Sequence, residues 1–189
     1  MYRVLCGLAL STALLVTDVH AAQGAAADFA GPGGLNDGSP HRRPQLITGW
    51  VGLPYVYYGW GYKGFPFSVG ASFLQPLVNE GFVPQLNDSF HLEVGVNLAF
   101  GNSGGWTSVL SIPVEVAWAL HLTPNLAGYL KLGAAINFAF GYYPANNNGA
   151  WLSAFPIAAL GIWYRLTNNL YLRVQAGWPA LYIGLGFGL

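Results

Sequence analysis

Residues 181–189 read L-Y-I-G-L-G-F-G-L. Leu181, Ile183, Leu185, Phe187 and Leu189 fall on one side of an extended chain. Tyr182, Gly184, Gly186 and Gly188 fall on the other. Successive side chains of a strand point to opposite faces, so one face here is continuously apolar and the other nearly bare. That is the pattern of a strand with hydrocarbon outside and a crowded interior within.

The rest of the chain fits an apolar environment. Charged residues make up 7% of it, aromatics 15%, and glycines number 26, whereas a soluble domain carries about 25% charged residues. Formal net charge is zero, which leaves no basic face for nucleic acid. From Gln45 onward every long apolar stretch meets a Gly, Pro, Asn or charge within about ten residues, too soon for a spanning helix, which needs about 20. Only helices and closed barrels satisfy their backbones in a bilayer, so the expected fold is an all-β, antiparallel, up-and-down transmembrane barrel. At the other end, Met1-Tyr2-Arg3 is a short basic start to an apolar run over residues 4–16. Val19-His20-Ala21 then offers small residues for cleavage, so residues 1–21 read as a signal peptide. Cys6, the single cysteine, lies inside that run, and the mature chain expected after cleavage has no thiol for a disulfide.

Residues 22–44 are rich in Ala, Gly, Pro and Asp and end in His41-Arg42-Arg43-Pro44. Their composition predicts a disordered leader, so the barrel is expected over residues 45–189. Within it, strands are expected at residues 46–58, 67–74, 90–100, 108–120, 129–140, 151–166, 170–178 and 181–189. Phe90, Leu92, Val94, Val96, Leu98 and Phe100 alternate with His91, Glu93, Gly95, Asn97 and Ala99. Leu110, Ile112, Val114, Val116, Trp118 and Leu120 continue the outward pattern. Eight strands result, with ten if residues 79–86 add strands of their own; Pro76, Gly81 and Pro84 argue against that addition.

Three segments share a plan: Q-L-N-D-S-F-H-L-E-V-G at 85–95, H-L-T-P-N-L-A-G-Y-L-K-L-G at 121–133, and R-L-T-N-N-L-Y-L-R-V-Q-A-G at 165–177. Each has a leucine, a tight turn and a strand reaching glycine. They recur at alternate strand junctions, so the short turns lie at one end and share it with both chain ends. The opposite loops are residues 59–66, 101–107, 141–150 and the turn near Pro179. Trp118, Tyr129 and Tyr164 are expected as an aromatic girdle near the short turns. Phe100, Phe138, Phe140, Tyr142, Tyr143, Trp151 and Trp178 would form one near the loops.

The whole mature chain resembles the small OmpA-like outer-membrane β-barrel proteins of Gram-negative bacteria. Its last strand is similar to their C-terminal assembly signal, with Tyr182, Gly184, Phe187 and Leu189 at the matching places. It departs from that signal in ending on Leu rather than Phe and in having the partly polar Tyr182. The resemblance implies a monomer in outer-membrane lipid, with the turns and chain ends in the periplasm. It also implies delivery by periplasmic chaperones and the outer-membrane assembly machinery. It carries no particular activity, because a fold is not a function.

By strand parity Glu93, Glu115, Lys131, Arg165 and Arg173 all point inward. A lipid-facing Arg or Lys near midplane would cost roughly 2–4 kcal/mol. Strands three and four should bring Glu93 beside Glu115, and two adjacent carboxylates require a cation or a proton. The expected arrangement has Arg173 and Lys131 neutralising the glutamates, with Arg165 nearer the rim. Three readings follow: a structural plug, a gate for ions or small solutes, and an acid/base pair of glycosidase type. The plug leads, because an eight-strand barrel is only wide enough for its own side chains.

Other classes find less support. A lipid-modifying barrel enzyme needs a nucleophile with a histidine at the lipid interface, and no serine stands immediately beside His91 or His121. The expectation is therefore a non-enzyme. No metal site or cofactor is expected: there is no cysteine cluster, no His pair at ligand spacing and no phosphate loop. Adhesion through loops is disfavoured by their shortness.

Overall fold

The computed structural model describes residues 31–54, 67–79, 81–102, 106–141, 151–178 and 180–189. Eight strands close into one antiparallel barrel: β1 Leu46–Pro54, β2 Phe67–Val78, β3 Asp88–Asn102, β4 Trp106–His121, β5 Leu126–Gly141, β6 Trp151–Arg165, β7 Leu170–Trp178 and β8 Ala180–Gly188. Each pairs with its neighbours in sequence, and β1 closes on β8 through Leu46↔Gly188 to Pro54↔Ala180. No described residue between Val78 and Asp88 adds a strand. The expected signal peptide, residues 55–58 of the first expected strand, Tyr142 and Tyr143 lie outside the described residues.

Alternation governs burial throughout. Ile183, Leu185, Phe187, Val94, Val116, Leu132 and Leu160 are exposed on the outer wall, while Thr48, Glu93, Glu115, Lys131 and Arg173 are buried inside. Strands β3 to β6 run 15 or 16 residues against 9 in β1, β7 and β8. That exceeds the nine to eleven that span hydrocarbon. Prolines mark local breaks in the ladder. The β3–β4 pairing steps from Val94↔Val114 to Asn97↔Ser111, beside Pro113, which has no N–H to give. A register shift lies between Pro76 and Val78 in β2.

One expectation is corrected. Tyr129 is no girdle residue: it shares parity with Lys131, is 4% exposed, and stacks on Trp163 inside the lumen at 4.7 Å between ring centroids. Trp118 does face outward and stacks parallel to Phe90, its indole N–H donating to Asp88 Oδ2 at 2.8 Å. Tyr164, Phe138, Phe140 and Trp178 are exposed on the outer wall.

Of the expected leader, residues 22–30 lie outside the described residues and residues 31–44 are described. Residues 31–44 fold against the mouth where β1 begins and β8 ends (the terminal mouth). Leu35 N donates to Leu122 O at 3.3 Å, and Asn87 N donates to Leu35 O at 2.7 Å. The Arg43 guanidinium donates to Asn87 Oδ1. Gly33, at φ 78°, allows the turn that brings its N–H onto the Asp37 carboxylate. That bond and those from Ser39 hold the Asp37 carboxyl well below the usual carboxylate range. A Gly- and Pro-rich composition is therefore compatible with order where the backbone finds partners on the barrel.

Candidate functional site

Glu93 on β3 and Glu115 on β4 are direct register partners with both side chains inward. Their carboxylates share the lumen with cations from two other strands. Arg173 reaches from β7 across the barrel and grips Glu93 at both oxygens, NH1 to Oε1 at 2.7 Å and NH2 to Oε2 at 2.8 Å. Lys131 on β5 bridges the pair, its Nζ 2.9 Å from Glu93 Oε2 and 2.5 Å from Glu115 Oε2. Two carboxylates and two cations make a neutral group, and all four are at least nine-tenths buried.

Neutral groups complete the set. Ser72 Oγ donates to Glu93 Oε1 at 2.6 Å. Arg173 Nε donates to the Tyr129 hydroxyl at 3.0 Å, and its NH2 also donates to Gln175 Oε1 at 2.9 Å. The Arg173 guanidinium lies 5.4 Å from the Tyr129 ring centroid and 5.9 Å from that of Trp50. A planar, bidentate cation between aromatic faces is held in one orientation.

Glycine makes the room. A Cβ at Gly133 would lie 2.2 Å from Val114 O and 2.7 Å from Glu115 Cα, and one at Gly161 would lie 2.3 Å from the Tyr129 ring. At Gly184 it would meet Gly49 O at 2.4 Å. By contrast Gly186 and Gly188 leave a Cβ at 3.2 Å or more from any neighbour. Lumenal crowding in the last strand therefore belongs to Gly184 rather than to its two successors. Of the residues expected to form an assembly signal, Phe187 and Leu189 are exposed on the outside; Tyr182 turns inward toward Trp50.

Four of the five expected lumenal charges thus meet. Arg165 does not join them: it stands at the terminal mouth, where its guanidinium donates to Asn125 Oδ1 at 3.1 and 3.0 Å. Lys131 serves Glu115 as well as Glu93, while Arg173 holds Glu93 alone of the two. Tyr129, Gln175 and Ser72 were missed, although all three share inward parity with the charges.

The sequence reading also passed over Ser89. Its hydroxyl lies 2.9 Å from His91 Nε2 and 2.8 Å from His121 Nε2. Ser89 and His91 are buried, and no described residue is within hydrogen-bonding reach of His91 Nδ1. A catalytic serine needs its base oriented by a third group, which His91 lacks among the described residues.

The charges lie between an apolar layer and a small cavity. On the terminal side, Leu46, Leu74, Ala119, Ala127, Tyr129 and Trp163 pack as an apolar core. On the loop side a cavity of about 40 Å³ is lined in part by Trp50, Asn97, Ser111, Glu115 and Lys131. Among the described residues no group of three or more acidic, His or Cys side chains is placed to hold a metal ion.

No protein-family model and no curated protein sequence matches the chain. Among solved structures, a de novo designed transmembrane β-barrel aligns at 20% identity with a TM-score of 0.50, over 80% of this chain and 100% of that one. Ail, the attachment invasion locus protein of Yersinia pestis, aligns at 10% identity and TM-score 0.48, over 78% of this chain and 98% of its own. The N-terminal β-barrel domain of Pseudomonas aeruginosa OprF gives 15% and 0.45, over 78% and 98%. The likeness to the designed protein is one of fold: this chain has the architecture of a small transmembrane β-barrel.

Proposed function

We propose that the chain is a small outer-membrane barrel whose main role is structural and whose lumen is closed by a charge plug. The observation that carries this reading is the Arg173–Glu93 pair, a bidentate bond between opposite walls of the barrel. Lys131 ties the second carboxylate into the same group. A neutral, fully bonded cluster across an eight-strand lumen fixes wall-to-wall registry and leaves no path for a hydrated ion. The outward apolar face of β8 supports insertion from the last strand by the outer-membrane assembly machinery, after passage with periplasmic chaperones. In this reading the barrel works as a monomer in outer-membrane lipid and holds no cofactor. Ser89 and its two imidazoles act as a buried polar knot rather than as a nucleophile.

A second reading, a narrow gated pore, draws on a separate feature. Asn97, Ser111, Asn137 and Ser153 occupy matching places on β3 to β6, a tier of uncharged polar groups on the loop side of the cluster. Neither Asn137 amide atom has a protein partner among the described residues, so water suits that tier. In this reading Lys131 exchanging between its two glutamates would open the rest of the lumen.

The two readings part in planar bilayers. A plug predicts heat-shiftable, detergent-stable protein with no unitary conductance. A gate predicts brief cation-selective openings. A chain soluble without detergent after loss of its signal would refute both.

A further inference from the structure

The Arg42-Arg43 pair and the mouth histidines play no part in the plug, yet the folded leader brings them together. A cavity of about 110 Å³ at the terminal mouth is lined by Arg42, Arg43, Arg165, His91 and His121, with Thr123 at its edge. No carboxylate lines it among the described residues. Asp37 is already engaged by Gly33, Ser39 and His41, and Asp88 Oδ2 serves Trp118. Three arginines therefore line one cavity whose lining has no acidic residue.

The individual donors tell the same story. Arg43 Nε and His91 Nδ1 are buried without a partner among the described residues. His91 is 3% exposed, so its free ring nitrogen faces a protein interior. Burial pushes the Arg43 guanidinium down to about 10, against the pull of Asp37, Tyr171 and Asp88 at a distance. An unpaired buried guanidinium N–H is costly unless a ligand satisfies it, and His91 Nδ1 can donate in the tautomer whose Nε2 accepts from Ser89. Arg165 is held by Asn125 through Nε and one NH2, which leaves its other terminal nitrogen to donate elsewhere. Guanidinium donors from the leader and β6, with imidazoles from β3 and β4 beside them, suit a tetrahedral anion with several acceptor oxygens better than a carboxylate with two.

We propose that the terminal mouth of the barrel is a phosphate-binding site, built from Arg43 and Arg165 with the His91/His121 pair beneath them. The phosphate group is either free or the headgroup of an anionic lipid. The site is independent of the plug, since Arg173, Lys131 and their glutamates take no part in it. The folded leader is a wall of the site, so the anion ties residues 31–44 to the barrel.

The test uses the mature chain folded in phosphatidylcholine nanodiscs. Inorganic phosphate is titrated at constant ionic strength, with heat and histidine side-chain nitrogen resonances as readouts. One saturable site is expected, with a shift of the His91 Nδ1 resonance. The double variant Arg43→Ala/Arg165→Ala should weaken binding roughly tenfold or more while the barrel still shows its heat shift on gels. In phosphatidylglycerol nanodiscs, a several-fold loss of phosphate affinity would assign the group to a lipid headgroup, and unchanged affinity to a free anion. The proposal is overturned if phosphate does not saturate into the tens of millimolar, or if the double variant binds as the parent does.

Discussion

Replacing Arg173 by alanine tests the plug most directly. The change removes two charge-assisted bonds to Glu93, at 2.7 and 2.8 Å, together with those to Tyr129 and Gln175. Breaking a buried ion pair from one side typically costs 3–5 kcal/mol, because the partner charge is left uncompensated. Here Glu93 keeps Lys131 at 2.9 Å and Ser72 at 2.6 Å, so the lower end applies, about 3 kcal/mol. For a barrel of this length that corresponds to a fall in unfolding midpoint of roughly 10 °C. The midpoint is read from the heat shift on gels, and conductance from the same preparation. A plug gives the lower midpoint with no channel activity. A gate gives raised open probability and cation preference, because the group now carries a net negative charge. Adding Glu93→Gln restores neutrality and should recover more than half of either effect. An unchanged midpoint and unchanged conductance in Arg173→Ala would refute the assignment of this pair as the lumenal tie.

Lys131→Met should destabilise more than Arg173→Ala, near the upper end of about 3–5 kcal/mol, since Lys131 is the ion-pair partner of Glu115; Glu115→Gln in the same chain should relieve most of that loss in the gel-shift midpoint. Gly161→Val should lower the midpoint without touching a charge, by displacing the Tyr129 ring that lies 2.3 Å from the new Cβ; an unaltered midpoint would show that the ring has another place to go. The leader should respond to acid with a defined sign. The Asp37 carboxyl is depressed in the folded state, so its contribution is present above its ordinary value near 4 and is lost as pH falls further. Asp37→Asn should accordingly speed tryptic cleavage after Arg42 at pH 8, where the parent is protected. Replacing Phe187 and Leu189 with serine should leave exported, unassembled protein in the periplasm, and normal membrane levels would show that the exposed face of β8 is not what the assembly machinery reads.

What was legible in the chain, and what was not, follows from the geometry of a closed sheet. Parity depends on near neighbours alone: Glu93 sits between Leu92 and Val94, so its inward direction needs no knowledge of the other strands. Strand pairing in order needs only short turns such as those around Pro124 and Asn168. Which neutral side chains join the charges is a different matter, because it depends on the offset with which β8 meets β1. That offset tilts the strands and lifts each one relative to the last. It sets Arg173 at the level of Glu93 and leaves Arg165, on the same inward side of its strand, at the rim beside Asn125. It also carries Tyr129, two residues before Lys131, into the layer where Arg173 and Gln175 need a hydroxyl. Ser89 between two imidazoles was hidden for the same reason, since His121 comes from the next strand at a height no spacing along the chain records. For residues 31–44, composition reports the entropy a segment must lose and says nothing of the partners waiting for it. Leu122 O and Asn87 are such partners, exposed by the very turns that close the barrel. A segment poor in apolar residues can therefore be ordered at a barrel mouth by backbone bonds and one arginine. Its stability should accordingly follow the anion and the charge state of Asp37 more closely than the stability of the barrel beneath it.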